Sequence, residues 1–128
     1  MDPISNLIVQ IKNASDAGKD MVTVPYSRMK EEILTVLEKE GFVKSVAKRG
    51  KKIHKSIDVG LMYDTYGPRV KGVKRMSHLS KRMYGGVKDL RPVKQGHGVL
   101  VITTPKGILT DAEARRQKVG GELLFKIW

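Results

Sequence analysis

The chain has 128 residues, 40% of them apolar, enough for one domain or two small domains with a packed core. Its 25 Lys and Arg against 13 Asp and Glu give a net charge of +12, which favours a polyanionic partner. Because it has no cysteine, no secretion signal and no apolar run of membrane-spanning length, we expect a cytoplasmic protein without disulfides, thiolate metal sites or a membrane partner.

The first predicted element is a helix that begins at Asp2 and Pro3. Apolar residues then recur at the helical spacing, and Lys12 and Asn13 lie near the predicted end. These apolar residues are Ile4, Leu7, Ile8 and Ile11. A short strand, Met21–Val24, follows and should end at Pro25, which lacks a backbone N–H for pairing.

A second helix is predicted from Ser27, a good N-cap residue, to about Glu40. Gly41 supplies a left-handed stop, and Phe42 is expected to fold back on the last turn. The predicted buried stripe of this helix consists of Met29, Ile33, Val36 and Leu37.

Two strands are predicted on either side of Arg49–Lys51, packed on the two helices. In the second strand, apolar residues alternate with polar ones from Ile53 to Tyr63, which is typical of a half-buried strand. Asp64–Pro68 is the best candidate for a joint, because Gly-Pro interrupts regular structure. We therefore expect an N-terminal domain of residues 1–66 and a C-terminal domain of residues 67–128.

The second half is predicted to be mostly β. Basic strands are expected at Val70–Met76 and Lys81–Tyr84, a helical turn at Val87–Leu90, and a buried strand at Val99–Ile102. A polar loop follows. Thr110 and Glu113 then form a capping box that opens a short helix, Gly120–Gly121 ends it, and Leu123–Trp128 is a closing strand. The fold class is thus α+β, with an N-terminal αβαββ unit and a C-terminal mostly β unit containing one short helix.

Charge is distributed unevenly along the chain. Residues 1–42 carry five Lys or Arg and seven acids, a net of −2, whereas residues 43–128 carry twenty and six, a net of +14. Two clusters stand out: Lys44, Lys48, Arg49, Lys51, Lys52 and Lys55, and then Arg69, Lys71, Lys74, Arg75, Lys81 and Arg82. Phosphate contact is favoured over a solvated face for the second cluster, and the two interpretations are equally compatible with the first.

The polar loop after the buried strand has a composition suited to phosphate and sugar oxygens. Thr103 and Thr104 bring hydroxyls, Lys106 brings charge, and Gly107 lets the backbone approach closely. Taken alone, an ordinary polar turn explains these residues equally well.

The segments Thr103–Arg115 and Gly120–Glu122 resemble the signature of small-subunit ribosomal protein eight. In that family the pattern runs Ser-Thr-Ser-Lys-Gly, an apolar pair, Thr-Asp, Glu-Ala-Arg or similar, and Gly-Gly-Glu. Pro105 stands where the family has its second serine. Asp2-Pro3-Ile4, Lys12-Asn13 and the stretch Glu38–Phe42 match further parts of the pattern, so the resemblance covers nearly the whole chain.

This resemblance implies a two-domain α/β fold and a primary binding role on the central domain of 16S ribosomal RNA, helping to assemble the subunit platform. It implies a monomer within the ribosome beside neighbouring small-subunit proteins, with no cofactor, metal, small-molecule substrate or catalysis. The expected RNA-binding residues are Thr103, Thr104, Lys106, Gly107, Arg115, Arg116, Lys118, Gly121 and Glu122. Secondary contacts are expected at Lys12, Ser27, Arg28, Lys30, Lys74 and Arg75, although an exposed first helical turn explains Ser27, Arg28 and Lys30 at least as well.

Two alternatives remain open from the residues themselves. Glu122 accepts hydrogen bonds from loop N–H groups or a 2′-hydroxyl, or else forms a salt bridge to Arg115 or Lys106. The rival function is a small cytosolic DNA- or RNA-binding regulatory protein, and a basic hydrolase is a weaker third. The three histidines, 24 and 19 residues apart, have no acids arranged as ligands or triad partners, which argues against an enzyme.

Overall fold

The computed structural model describes residues 2–50, 55–77, 81–86, 88, 90, 93 and 98–128. These residues form two compact units, Pro3–Lys71 and Gly72–Trp128, with Asp2 grouped with the second. Helices and antiparallel strands occur together along the chain, which confirms the predicted α+β class.

The first unit contains a three-stranded antiparallel sheet on which two helices pack. Its elements are α1 (Pro3–Asp16), β1 (Met21–Pro25), α2 (Arg28–Lys39), β2 (Val43–Arg49), β3 (Ser56–Leu61), β4 (Tyr63–Asp64) and β5 (Gly67–Pro68). The sheet order is β1-β3-β2, and α1 contacts β1 and β3 while α2 contacts β2. Within the predicted joint Asp64–Pro68, strand β5 pairs with β4 in a short hairpin.

Helix α1 runs to Asp16, three residues beyond the predicted end. Ala14 and Ser15 in this added turn are buried. Tertiary packing therefore extends the helix through residues whose own helix propensity would not continue it. Gly18, with a φ of +74°, then turns the chain toward β1.

Both predicted ends of α2 are confirmed. The Ser27 hydroxyl accepts a hydrogen bond from the Lys30 backbone N–H at 3.1 Å. At the other end Gly41 is left-handed, with a φ of +81°, and the Phe42 N–H donates to the Leu37 carbonyl at 2.9 Å. Phe42 is 1% exposed, so its ring closes the end of the helix over the core.

The buried stripe of α2 differs from the prediction. Ile33, Leu34 and Leu37 are buried, whereas Met29 is 38% exposed. At about 100° per residue the stripe is centred between Ile33 and Leu34, which leaves Met29 near its edge. Leu34 is therefore the core residue that the prediction missed.

Strand β3 is central, and the half-buried prediction for it is wrong. Residues Ile57–Leu61 are all buried because β1 and β2 pair with β3 on either side. Asp58 satisfies its carboxylate through Thr23 and Arg49, and a Cβ built at Gly60 would lie 2.3 Å from the Ser45 hydroxyl. The predicted residues Ile53 and His54 lie outside the described part of the chain.

The second unit is a five-stranded antiparallel sheet with one short helix. Its elements are β6 (Val73–Arg75), β7 (Tyr84–Gly85), β8 (Val99–Thr104), β9 (Gly107–Thr110), α3 (Asp111–Gln117) and β10 (Gly121–Ile127). The order is β6-β10-β8-β9, and β7 also pairs with β10. One hydrophobic cluster of this unit joins residues of β8, β9 and α3 with two residues outside these elements: Leu100, Ile102, Leu109 and Ala114, with Leu90 and Val93.

Several predictions in this unit are confirmed with shifted boundaries. The buried strand at Val99–Ile102 continues to Thr104, and the Thr110–Glu113 capping box is present. The basic strand shortens to Val73–Arg75, and the strand expected at Lys81–Tyr84 appears as Tyr84–Gly85. The predicted helical turn at 87–90 falls partly outside the described residues.

Two predictions here are wrong. The expected polar loop is a hairpin, because Gly107–Thr110 forms β9 against β8. Helix α3 ends at Lys118, which adopts the left-handed conformation with a φ of 57°, rather than at Gly120–Gly121. The glycine pair instead leads into β10, which therefore begins two residues earlier than expected.

Candidate RNA-binding surface

The β8–β9 hairpin presents Pro105 and Lys106 at its tip. Thr104 and Gly107 pair across the last rung, and both tip residues are exposed. The Thr104 hydroxyl accepts the Lys106 N–H at 3.1 Å and donates to the Gly107 carbonyl at 2.9 Å. Gly107 has a φ of +109°, a conformation that residues with a Cβ rarely adopt. The tip is therefore internally fastened, with the Lys106 ammonium in solvent.

These bonds determine what Thr104 offers to a ligand. A hydroxyl has one donor proton and two acceptor lone pairs. Its proton and one lone pair are engaged within the hairpin, so one lone pair remains. Thr104 is thus suited to accept a hydrogen bond, as from a ribose 2′-hydroxyl or a base N–H, rather than to donate one to a phosphate.

Strand pairing brings Thr103, Glu122 and Tyr84 into one row across the sheet. Glu122 on β10 pairs with Thr103 on β8 on one side and with Tyr84 on β7 on the other. Thr104, next to Thr103, closes the hairpin tip. The predicted residues Thr103, Thr104, Gly107 and Glu122 therefore share one end of the second sheet.

The glycines at this end permit close backbone packing. A Cβ built at Gly121 would lie 2.0 Å from the Thr103 carbonyl oxygen, and one at Gly120 would lie 2.3 Å from the Gly85 oxygen. A side chain at either position would require the backbone to shift. The glycine pair thus sets the spacing between the hairpin and its neighbours, a role other than the predicted helix stop.

The Glu122 carboxylate is bound by Arg82. Arg82 Nη1 lies 3.1 Å from Glu122 Oε2, while the Glu122 side chain is 16% exposed and that of Arg82 is 45% exposed. The partner is thus a residue 40 positions earlier, neither Arg115 nor Lys106. Arg82 was recognised in a basic cluster but not as part of this site.

The cations of α3 fall into two kinds. Arg115 donates to Asp111 Oδ2 at 2.9 Å, and the other oxygen of that buried carboxylate accepts the Leu100 N–H at 3.1 Å. Arg115 is therefore braced to the helix and, through Asp111, to β8. Arg116 and Lys118 are exposed.

Tyr84 is a candidate contact that sequence reasoning missed. Tyr84 is 71% exposed and lies in the same row as Glu122. The signal was available, because Tyr84 lies between the basic pair Lys81–Arg82 and two glycines. An exposed ring at this position can stack on a nucleobase or pack on a ribose.

The secondary residues lie on both units. Lys12 pairs with Asp16 within α1, Arg28 Nε lies 3.4 Å from Glu32 Oε1, and the Lys30 ammonium lies 3.4 Å from the Pro25 carbonyl. The Ser27 hydroxyl serves as the helix cap. Each of these groups already has a partner within the first unit.

Lys74 and Arg75 are adjacent on β6 but differ in environment. Lys74 is exposed, whereas the Arg75 side chain is 8% exposed and its guanidinium donates to the Leu124 carbonyl. Arg75 thus fastens β6 to β10, and Lys74 is the one placed to meet a ligand.

The described residues contain no group of three or more His, Asp or Glu placed to hold a metal ion. None of the helices in this described part has the length and apolar character needed to span a membrane. The three histidines, at 54, 78 and 97, lie outside it.

Comparison with known proteins identifies the family. The family model for ribosomal protein S8 matches residues 2–128. The relative named small ribosomal subunit protein uS8 from Acholeplasma laidlawii is 44% identical over 128 residues, covering 99% of this chain and 97% of that protein. Those from Rhizorhabdus wittichii and Thermus thermophilus are 37% and 38% identical, each over 99% of this chain and over 97% and 98% of their own length.

Proposed function

From the premise that this chain belongs to the ribosomal protein S8 family, and so is a structural protein of the small ribosomal subunit, we propose that it binds 16S ribosomal RNA directly. The proposed target is the central domain, where the chain acts as a primary binding protein and helps the subunit platform assemble. It works as a monomer in the cytoplasm beside neighbouring small-subunit proteins. It holds RNA in a fixed arrangement and converts no substrate.

The observation that carries this proposal is the convergence of hydroxyls, glycines and an exposed tyrosine at one end of the second sheet. Thr103 and Thr104 stand beside Glu122 and Tyr84, and Lys106 projects from the adjoining tip. This combination suits folded RNA, which offers ribose hydroxyls and unstacked bases as well as phosphates. A surface for nonspecific polyanion binding would need only the cations.

Each group has a distinct role in the proposed contact. Thr103 and Thr104 meet ribose or base edges, Tyr84 stacks, and Gly107 and Gly121 let the RNA backbone approach. Lys106, Arg116 and Lys118 neutralise phosphates, while Arg115 and the Arg82–Glu122 pair position their neighbours. Lys74 is a further phosphate contact at the margin of the sheet.

The geometry also determines what Glu122 can contribute to the contact. Glu122 is ion-paired and mostly buried, so the negative charge it brings to a phosphate-facing surface is largely compensated. Within the described part of the chain no hydrogen bond reaches the other oxygen, Oε1, which can therefore accept a 2′-hydroxyl proton. Glu122 therefore favours ribose over deoxyribose at this position.

Binding of the full chain to two nucleic acids tests the proposal. A transcript of the central domain of 16S ribosomal RNA is compared with duplex DNA of equal length across a salt series. We expect tighter binding to the RNA at every salt concentration, with a ratio that widens as salt screens the phosphate contacts common to both. Equal affinity at every concentration would contradict the proposal and favour the rival regulatory nucleic-acid-binding protein.

A further inference from the structure

Ser77 is a buried polar residue of the second unit, two positions after β6, and it is 0% exposed. Its hydroxyl accepts a hydrogen bond from the Met83 N–H at 2.8 Å and donates one to the Met83 carbonyl at 3.2 Å. A single side chain thus binds both backbone polar groups of a residue six positions later in the chain.

A shared partner on β10 completes this arrangement. The Ser77 N–H donates to the Leu123 carbonyl at 3.1 Å, and the Leu123 N–H donates to the Met83 carbonyl at 2.8 Å. The Met83 carbonyl therefore accepts two hydrogen bonds, which uses both of its lone pairs. Ser77, Met83 and Leu123 form a closed ring of hydrogen bonds.

This ring lies between the segments of β10 that pair with β6 and with β7. Strand β6 pairs with Phe125–Ile127, whereas β7 pairs with Gly121 and Glu122. Strand β7 is only two residues long, so its own pairing supplies few ladder hydrogen bonds. The bonds of Ser77 extend the attachment of this short strand to the residue that precedes it.

Met83 stands directly between two residues of the proposed RNA-binding surface, Arg82 and Tyr84. Its N–H belongs to the peptide plane shared with Arg82, and its carbonyl belongs to the plane shared with Tyr84. Because a peptide unit is planar, a hydrogen bond to each group fixes the plane on that side. The Ser77 hydroxyl therefore sets the directions in which the two neighbouring side chains leave the backbone.

Both neighbours depend on a fixed backbone direction. Arg82 Nη1 reaches Glu122 Oε2 at 3.1 Å from a side chain that is itself 45% exposed. Tyr84 is 71% exposed, so surrounding side chains give its ring little support. A ring on a fixed backbone loses less conformational freedom on binding than a ring on a mobile one.

We propose that Ser77 is a positioning residue for RNA recognition: it fixes the backbone at Met83, so that Tyr84 meets the RNA and Arg82 holds Glu122. Ser77 is buried and does not itself contact the ligand. Its contribution passes through the two neighbours of Met83. The inference rests on the proposed function for the identity of the ligand, and it adds a residue from beneath the contact surface.

Ser77→Ala in the full chain removes the hydroxyl alone. We expect affinity for the central-domain transcript to fall about threefold or more, because Arg82 and Tyr84 must then be ordered during binding. The matched control is Ser15→Ala, which removes the hydroxyl of a serine that is 1% exposed in α1. The control should bind the transcript as the wild type does.

A double-variant cycle separates positioning from general stability. Ser77→Ala is introduced into the wild type and into a background that carries Tyr84→Leu with Arg82→Met. If the hydroxyl acts through these two side chains, its removal from the background should cost almost no further affinity. Equal losses in the wild type and in the background would show that Ser77 only stabilises the fold, and would overturn the inference.

Hydrogen exchange of the free protein measures the backbone directly. The Met83 amide is bonded to the Ser77 hydroxyl, so in Ser77→Ala it should exchange about tenfold faster. Amides of β8 should keep their wild-type protection, which shows that the sheet remains folded. Unchanged exchange at Met83, or lost protection throughout β8 as well, would each contradict a local positioning role.

The outcomes distinguish this inference from the proposed function. If Tyr84→Leu weakens binding to the transcript while Ser77→Ala binds as the wild type does, the positioning role is refuted and the RNA-binding surface stands. If the wild type does not prefer the transcript to duplex DNA, the proposed function fails, and the inference fails with it.

Discussion

The two units differ in how many of their cationic side chains form ion pairs with acids. In the first, acids hold many of the cations: Asp58 on the central strand binds Arg49, and ion pairs hold Arg28 and Lys12 on their helices. In the second, the acids Asp111 and Glu122 each fix one arginine, while other cations are exposed. The comparison teaches that a lysine or arginine in the sequence indicates a contact only after its own partners are known.

The largest expected effect comes from the backbone of the second unit. Gly121→Ala places a Cβ 2.0 Å from the Thr103 carbonyl, so β8 and β10 must separate. We expect a loss of about 3 kcal/mol of unfolding free energy, measured by denaturant titration, together with weaker RNA binding. Gly107→Ala is the matched comparison: a Cβ there meets nothing within 4 Å, and only its positive φ is strained.

Gly107→Ala should therefore lose less, about 1 to 2 kcal/mol. A Gly121→Ala variant as stable as the wild type would show that the strands tolerate a wider spacing. The close approach would then have no bearing on the site.

The next largest effect is expected at Tyr84, the exposed aromatic residue of the second unit. Tyr84→Leu should weaken binding to the central-domain transcript by about 1 to 3 kcal/mol, the usual value of stacking on one base. Tyr84→Phe should bind nearly as the wild type does, since it keeps the ring. Because the side chain is 71% exposed, melting should hardly change in either variant. Equal losses for both variants would show that the hydroxyl, and not stacking, makes the contact.

A smaller effect is expected at the hairpin tip. Lys106→Ala should reduce the salt slope of RNA binding by about one phosphate contact, and Thr104→Ala should weaken binding, in both cases with melting nearly intact. Thr104→Ser is the control, because it keeps the hydroxyl that bridges Lys106 and Gly107. Should both alanine variants unfold the protein with no separate loss of affinity, the tip would be structural.

Local hydrogen-bonding signals explain what the sequence could predict. Ser27 and Thr110 cap helices through contacts three residues away, and Gly41 with Phe42 ends α2 within one turn. Such motifs require no knowledge of distant parts of the chain. The buried strand at Val99–Ile102 was predictable for a similar reason, since a short β-branched run bounded by turn residues has few alternatives.

Pairing between distant parts of the chain explains the features that the sequence could not predict. The sequence of β3 alternates as an edge or half-exposed strand does, but pairing on both sides buries its polar positions as well. Strand β9 is only four residues long, and its sequence alone predicts a loop. It forms a strand because it pairs with β8. In the candidate site, Thr103 and Thr104 were identified by motif, whereas the Arg82 partner of Glu122 and the exposure of Tyr84 depend on β7 reaching β10.

The smallest expected effect concerns Asp58, the buried acid on the central strand β3 of the first unit. Hydrogen bonds from Arg49 and then Thr23 lower the pKa of the Asp58 carboxyl from its ordinary value of 3.8. A carboxyl with a lowered folded-state pKa adds stability above its unfolded pKa and loses it as pH falls through the folded value. The wild type should therefore lose part of its stability below about pH 4, where the unfolded carboxyl begins to bind a proton.

Asp58→Asn keeps the shape but cannot titrate, so its melting temperature should vary less with pH in this acid range than that of the wild type. The difference should be modest and should shrink with added salt, because the Arg49 side chain is 69% exposed and its ion pair is partly screened. Parallel melting curves for the two proteins from neutral to acid pH would show that the Asp58 ion pair contributes no pH-dependent stability. The difference between the two units, ion-paired cations in the first and exposed cations in the second, would then be supported only by the distances between charged groups.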